Sequence, residues 1–132
     1  MNQVNPYAKY QEQNTLTASP GELTLLLYDG CLKALRRGEL FINERRNEDA
    51  HNELIRAQAI LTELRTTLDM RYEVSVGLAA LYDYLCGEAA RANMNKDASG
   101  LPDIITMLGE IRDAWQQAVR ENRRGYAAGQ EA

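Results

Sequence analysis

The sequence contains few of the residues that build metal sites, disulfide frameworks or catalytic centres. Its 132 residues include one histidine and two cysteines. Cys31 and Cys86 each fall inside an apolar helical pattern, which is typical of small buried side chains in a reducing compartment. Neither a Gly-x-Ser-x-Gly element nor a glycine-rich phosphate loop occurs. We therefore expect no catalytic residues, no enzyme activity and no cofactor.

One fragment of the sequence matches half of a di-iron motif. Glu48 and His51 have the Glu-x-x-His spacing found in some helical bundles, but the complete site needs a second such pair. Because His51 is the only histidine, no second pair exists. Acidic residues at a helix start also complement the helix dipole without any metal. We therefore expect no metal site.

Excess positive charge and long apolar runs are absent as well. The net charge is -4 and the basic residues are scattered, whereas a nucleic-acid-binding domain is expected to show a basic patch. No run reaches the roughly 18 apolar residues of a membrane-spanning helix. The first residues lack the charged and apolar regions of a signal peptide. These absences predict a cytoplasmic protein with no nucleic-acid partner and no membrane insertion.

Apolar residues recur at helical spacing in four segments, and no segment alternates as a β-strand does. We expect the first helix to run from Pro20 to about Glu44, and Asn47 or Asp49 to cap the second helix. Four helices of about 20 residues with short polar connections predict an all-α, antiparallel up-down four-helix bundle with an extra N-terminal segment. The expected divisions are an N-terminal segment (1–18), the bundle (19–122) and a flexible tail (123–132).

The first helix carries more apolar surface than one packing face uses. It begins with Ser19 as the predicted cap, Pro20 in the first turn and Glu22 as the other half of a capping box. A surface helix needs an apolar stripe somewhat wider than about 100°. The apolar arc that follows spans about twice that width. Two interpretations remain open: a central core helix, or a core helix whose second face binds a partner.

Further apolar residues on the second and third helices lie off the faces that build the core. Their concentration beside the first helix favours a groove for an amphipathic helix or an extended apolar segment of another chain. The residues that we expect to line this groove are Leu25, Leu27, Tyr28, Leu32, Ile55, Ile60 and Tyr82. Tyr7 and Tyr10 are three positions apart, so both rings lie on one side of any helical turn there. This spacing makes docking of the N-terminal segment onto the body a second hypothesis.

Five motifs in order along the chain resemble the flagellin-specific export chaperones of the FliS family. They are Asn5-Pro6-Tyr7-x-x-Tyr10, Thr17-Ala18-Ser19-Pro20-x-x-Leu23-x-x-Leu26-Leu27-Tyr28-Asp29-Gly30, Ala57-Gln58-x-Ile60-x-x-Glu63-Leu64-x-x-x-Leu68-Asp69, Leu78-x-x-Leu81-Tyr82-Asp83-Tyr84 and Leu108-x-x-Ile111-Arg112-Asp113-Ala114-Trp115. The second of these is the most specific. Gly21, Gly77 and residues 70–73 depart from the usual family pattern and bear on local loop geometry and client detail.

The resemblance implies a cytosolic chaperone that binds the disordered C-terminal segment of flagellin. Such binding prevents premature polymerisation and keeps the subunit competent for flagellar type III secretion. It also implies that Tyr7 and Tyr10 belong either to a displaceable lid over the groove or to a contact with the flagellar export gate. The alternative is a self-associating helical bundle, such as a homodimer, or an adaptor with no flagellin client.

Overall fold

The computed structural model describes the backbone of residues 19–131 and the side chains of residues 19–122. Within this range there are four helices and no strand, which confirms the all-α prediction. The helices are α1 (Pro20–Asn43), α2 (Asn47–Thr66), α3 (Glu73–Asn95) and α4 (Leu101–Glu131). Helix α4 continues past residue 122, and the flexibility of residues 123–132 stays a prediction. Tyr7, Tyr10 and the rest of the N-terminal segment lie outside the described residues.

Contacts between α2 and α3 show that consecutive helices run in opposite directions. Arg65, at the end of α2, donates from Nε to Asp83 Oδ1 at 2.7 Å in the first half of α3. His51, at the start of α2, lies 3.0 Å from Asn93 at the end of α3 (Nδ1 to Nδ2). Helix α1 packs on both α2 and α4, whereas α3 and α4 touch each other only briefly. The bundle is therefore antiparallel, as predicted, but it is more open between α3 and α4.

The start of α1 follows its sequence signals closely. Ser19 is the N-cap, and its Oγ accepts a hydrogen bond of 3.2 Å from the backbone N–H of Glu22. This bond satisfies one of the N–H groups that a helix start leaves without an intrahelical partner. Pro20 occupies the first helical position, where its missing N–H is not needed. The predicted first turn is confirmed at these positions.

The predicted cap of α2 was wrong. Arg46, and neither Asn47 nor Asp49, occupies the N-cap position, and its side chain makes no capping bond. The side chain of Arg46 instead forms an ion pair with Asp49, with Nη2 2.8 Å from Oδ2. The preceding Arg45 has a positive φ of 58°, so the chain reverses direction there. The cap therefore falls at Arg46, one residue before the first predicted position, Asn47.

The core is one continuous cluster to which α1 contributes more residues than any other helix. Leu35 of α1, Leu54 and Leu61 of α2 and Leu85 of α3 are at most 1% exposed. Truncating such a buried leucine to alanine costs about 2–5 kcal/mol. None of the helices in the described range has the length and apolarity that crossing a bilayer demands.

Two glycines in helix interiors have opposite surroundings. A Cβ built on Gly38 of α1 lies 2.7 Å from Cδ2 of Leu54, whereas a Cβ built on Gly87 of α3 has no neighbour within 4 Å. The close approach of α1 to α2 therefore requires a residue without a side chain at position 38. At position 87 the structure imposes no such requirement.

We expect Gly38→Ala to destabilise the fold by about 1–3 kcal/mol, because Leu54 has little room to move in the packed core. Gly87→Ala serves as the matched control and should stabilise the fold by about 1 kcal/mol through helix propensity alone. Urea unfolding followed by circular dichroism measures both. Equal effects of the two substitutions would contradict the proposed packing at Gly38.

Candidate functional site

An apolar cavity of about 460 Å³ opens at the end of the bundle where α1 begins, α2 ends and α3 begins. The brief contact between α3 and α4 leaves this side of the core uncovered. Pockets of about 300–1,000 Å³ are the usual size for binding sites. The apolar residues that line the cavity are Pro20, Leu23 and Leu27 from α1, Leu68 after α2, Val74 and Leu78 from α3, and Trp115 from α4.

Three aromatic residues form one wall of this cavity and join three helices. The hydroxyl groups of Tyr28 (α1) and Tyr82 (α3) form a hydrogen bond across the centre of the bundle. The ring of Trp115 (α4) meets the ring of Tyr28 edge-on, with their centroids 6.3 Å apart. Edge-to-face pairs of this kind contribute about 0.5–1.5 kcal/mol beyond the area that they bury. Tyr28 is thus the point at which α1 holds both α3 and α4.

The two tyrosines are neutral hydrogen-bonding groups. Burial raises the pKa of Tyr28, and the hydrogen bond with Tyr82 opposes this shift in part. Burial also raises the pKa of Tyr82, and the hydrogen bond with Tyr28 adds to the shift. Because an unperturbed tyrosine has a pKa of about 10, both phenols keep their protons at neutral pH. They therefore supply neither a nucleophile nor a proton-transfer group.

The N-terminal half of α1 is held against α4 by a hydrogen bond, an ion pair and a close approach of the two helices. Trp115 donates from Nε1 to the carbonyl oxygen of Gly21 at 2.8 Å. Arg112 forms an ion pair with Asp29, with 2.7 Å between Nε and Oδ1. A Cβ at position 21 would lie 3.1 Å from Cγ2 of Val119, so glycine allows the close approach of the two helices. The α1 wall of the cavity is therefore held from behind by α4.

The connection between α2 and α3 forms an exposed apolar rim. Tyr72 and Val74 line the cavity and are 61% and 69% exposed. Beside them, Asp69 accepts hydrogen bonds from Arg71, and these bonds hold the pKa of the Asp69 carboxyl below its usual value. Large apolar side chains that remain exposed at the mouth of an apolar cavity are typical of a binding surface.

Three of the residues predicted for the groove meet at this cavity. Leu27, Tyr28 and Tyr82 line it, although each is at most 4% exposed. They form its inner walls. A bound segment would therefore contact residues that also belong to the core of the bundle.

The other four predicted groove residues lie elsewhere. Leu32 and Ile60 are 4% and 2% exposed because they pack inside the core cluster, so the bundle itself uses the surface that we expected them to offer. Leu25 is partly exposed and Ile55 is 47% exposed, and neither lines the cavity. Contact of these four residues with a client stays a prediction.

Several cavity residues were missed because their spacing assigned them to the core. Val74, Leu78 and Leu68 continue the apolar faces of α3 and α2, and Trp115 continues that of α4. For Val74, Leu78 and Leu68 the available signal was their position near the ends of helices, because a bundle that opens does so where its helices end or diverge. Trp115 lies in the middle of α4 and gave no such signal. Periodicity alone does not separate an end that is covered from one that is open.

The di-iron-like fragment has a structural role in the described part of the chain. Lys96 donates from Nζ to the side-chain oxygen of Asn93, which assigns the Asn93 amide nitrogen to the side facing His51. His51 Nδ1 therefore accepts a hydrogen bond from Asn93 and ties α2 to α3. No cluster of three or more metal-ligating side chains occurs among the described residues.

Comparisons with known proteins place this bundle among flagellar proteins. A family model described as flagellar protein FliS matches residues 3–122. The flagellar secretion chaperone FliS of Bacillus subtilis is 40% identical over 120 residues, covering 91% of this chain and 90% of that protein. The protein of the same name from Escherichia coli is 31% identical over 111 residues, covering 82% of each.

The fold is also shared with a solved structure. A crystal structure of a bacterial flagellar chaperone superposes with a TM-score of 0.73 and covers 87% of this chain and 95% of that one. The sequence identity of the pair is 20%. The likeness shows a common four-helix architecture.

We expect Tyr28 and Tyr82 to ionise only when the chain unfolds at high pH. Their pKa is raised in the folded state and returns to about 10 on unfolding, so the unfolded state loses these protons first as the pH rises. The stabilising contribution of the pair is thus complete below about pH 10 and is lost above it. Absorbance of tyrosinate, measured against circular dichroism, should show a phase of tyrosine ionisation that coincides with unfolding.

The double variant Tyr28→Phe/Tyr82→Phe is the control for this titration. It should lose the phase of tyrosine ionisation that accompanies unfolding. Ionisation of all tyrosines near pH 10 with the helices intact would contradict the buried placement of the pair.

Proposed function

The chain belongs to the FliS family of flagellar secretion chaperones, and on that premise we propose that it holds the C-terminal segment of flagellin in the apolar cavity. Its family consists of chaperones rather than enzymes. Holding the segment in the cytoplasm prevents premature polymerisation and keeps the subunit competent for flagellar type III secretion. The observation that supports this function most directly is the open apolar cavity with its exposed apolar rim.

The size of the cavity sets the mode of binding. A volume of about 460 Å³ accepts a few apolar side chains and not a whole helix. Ordering a disordered segment costs about 2–5 kcal/mol, and fully burying one large apolar side chain contributes about 1.5–3 kcal/mol. Two or three anchoring side chains therefore offset the ordering of the segment. Further affinity requires contact with surface outside the cavity, and the exposed rim at Tyr72 and Val74 adjoins it.

The N-terminal segment is the second part of the proposal. Pro20 itself lines the cavity, so the residues before it reach the bundle at the edge of the cavity. Eighteen residues reach up to about 60 Å when fully extended, which is ample to cover the opening. Tyr7 and Tyr10 then supply aromatic rings for the cavity when no client is bound. A contact with the flagellar export gate is the other role that these tyrosines can have.

Self-association is the second candidate function. Helix α3 exposes Val76, Tyr84 and Met94, which are 53%, 50% and 80% accessible. A homodimer that buries this side of α3 would leave the cavity without a role. Sedimentation of the purified protein with and without the flagellin segment separates the two functions. A stable dimer that ignores the segment favours self-association, whereas a monomer that takes up the segment favours the chaperone.

We expect Val74→Asp to weaken binding of the flagellin C-terminal segment by about 30-fold, which corresponds to the usual hot-spot threshold of about 2 kcal/mol. The substitution places a charge on the apolar rim, and because Val74 is 69% exposed it leaves the core intact. Leu27 and Tyr28 are less suitable, since a charge there unfolds the bundle. Trp115 is the only tryptophan and lines the cavity, so its emission reports a titration with a tryptophan-free segment.

Val76→Asp is the matched control for this experiment. It makes the same change two residues along the same helix, at a side chain that is 53% exposed and does not line the cavity. We expect its affinity to stay within about threefold of the native value. Equal losses for both variants would show that the cavity is not the binding site. Absence of binding by the native chain would end the proposal altogether.

We expect a chain that begins at Thr17, and so keeps the Ser19 cap, to bind the segment up to about tenfold more tightly. A lid that is closed nine-tenths of the time lowers the apparent affinity by that factor, and removing the lid restores it. Tyr7→Ala/Tyr10→Ala in the full chain should reproduce part of the gain. Unchanged affinity in both would exclude the lid and leave the export-gate contact as the role of these tyrosines.

A further inference from the structure

Tyr28 and Tyr82 line a largely apolar cavity, and their hydroxyl groups have one hydrogen bond between them. Both side chains are at most 2% exposed, so bulk water reaches them little. In the described part of the chain, neither oxygen has a second protein partner. Both residues line the cavity, which makes its contents the nearest remaining source of a partner.

A count of hydrogens shows that the pair has one donor to spare. Each neutral phenol carries one O–H hydrogen and can accept as well. The mutual bond places one of the two hydrogens between the oxygens and leaves the other with no protein acceptor. A buried donor without an acceptor is unfavourable, because it has given up its bond to water and gained nothing in return.

Two other hydroxyls around the cavity donate within their own segments. Thr24 donates to the carbonyl oxygen of Pro20 at 3.2 Å, and Thr67 donates to that of Leu64 at 2.7 Å. These two threonines thus satisfy carbonyl groups of their own helices and turns. The lining is mostly apolar but also includes Glu63, Asp69 and Ser75, and the tyrosine pair contributes to it a hydroxyl hydrogen that no protein acceptor takes in the described part of the chain.

We propose that the Tyr28–Tyr82 pair determines which segments the cavity accepts, by donating its second hydrogen to an oxygen of the bound chain. Water can take this role when no segment is bound. A segment that brings only apolar side chains displaces that water and leaves the donor unsatisfied, whereas one that places a backbone carbonyl or side-chain oxygen beside its apolar anchors satisfies it. The inference rests on the proposed function and adds one requirement to it: the bound segment must place an oxygen atom near the tyrosine pair.

Three variants test the inference against the native chain, with the flagellin C-terminal segment as the probe. Tyr28→Phe and Tyr82→Phe each leave one hydroxyl whose hydrogen is not engaged in a mutual bond. We expect at least one of these single variants to keep its affinity within about threefold of native. The double variant has no donor left, and we expect it to bind roughly tenfold more weakly.

The double variant is also the one least prone to unfold from loss of the bond. Replacing both partners of a buried hydrogen bond by apolar groups of the same shape is close to neutral, whereas replacing one strands the other. Urea unfolding of all four proteins verifies this order. An unchanged affinity of a folded double variant, beside clear binding by the native chain, overturns the inference and leaves the proposed function standing. No binding by the native chain overturns both.

If the double variant fails to fold, a measurement on the native chain tests the inference instead. In protein with isotope-labelled tyrosine, the hydroxyl hydrogens of Tyr28 and Tyr82 are observed by NMR before and after the segment is added. We expect binding to slow the exchange with water of a second hydroxyl hydrogen. A second hydroxyl that keeps exchanging freely in the saturated complex contradicts the inference.

Discussion

The contact of Tyr28 with two other helices is the interaction on which the architecture depends. Helices α3 and α4 touch each other only briefly, so they do not close the bundle by themselves. Through its hydroxyl Tyr28 holds Tyr82 of α3, and through its ring it holds Trp115 of α4. Trp115 in turn donates to the backbone of Gly21 and fixes the start of α1. Helix α1 packs on α2 and α4 and reaches α3 through Tyr28, so apolar residues occupy most of its circumference.

This constraint explains what could be predicted from the sequence and what could not. The four helices, the Ser19 cap and the antiparallel order follow from short-range rules, since caps, periodicity and connection length act within a few residues. The width of the apolar arc of α1 was also visible. The sequence did not show which part of that arc contacts a neighbouring helix, because Leu32 and Tyr28 follow the same apolar periodicity. Only the packing of α2 and α4 decides that Leu32 is core and Tyr28 is cavity wall.

The cavity depends on how several helices are arranged around it, which the sequence of one segment does not show. Its walls come from segments that are far apart in the sequence, and it lies where α3 and α4 have little contact. Val74 and Leu78 continue the core face of α3, so spacing alone placed them inside. The exposed rim at Val74 shows the difference: the face persists to the first turn of α3, but the neighbour that would cover it is missing.

Because Leu27, Tyr28 and Tyr82 belong to both the core and the cavity, a segment bound as we propose would extend the core and would not cover a separate patch. Stability and binding are then linked through the same side chains. Bound apolar side chains add contacts to walls that are already packed, so occupation of the cavity also stabilises the fold by mass action. Conversely, weaker contacts of Tyr28 with Tyr82 and Trp115 would change the shape of the cavity before the bundle unfolds. Selection for a well-formed cavity is thus selection for tight packing at one end of the protein. A bundle used only as a scaffold would gain more by closing that end.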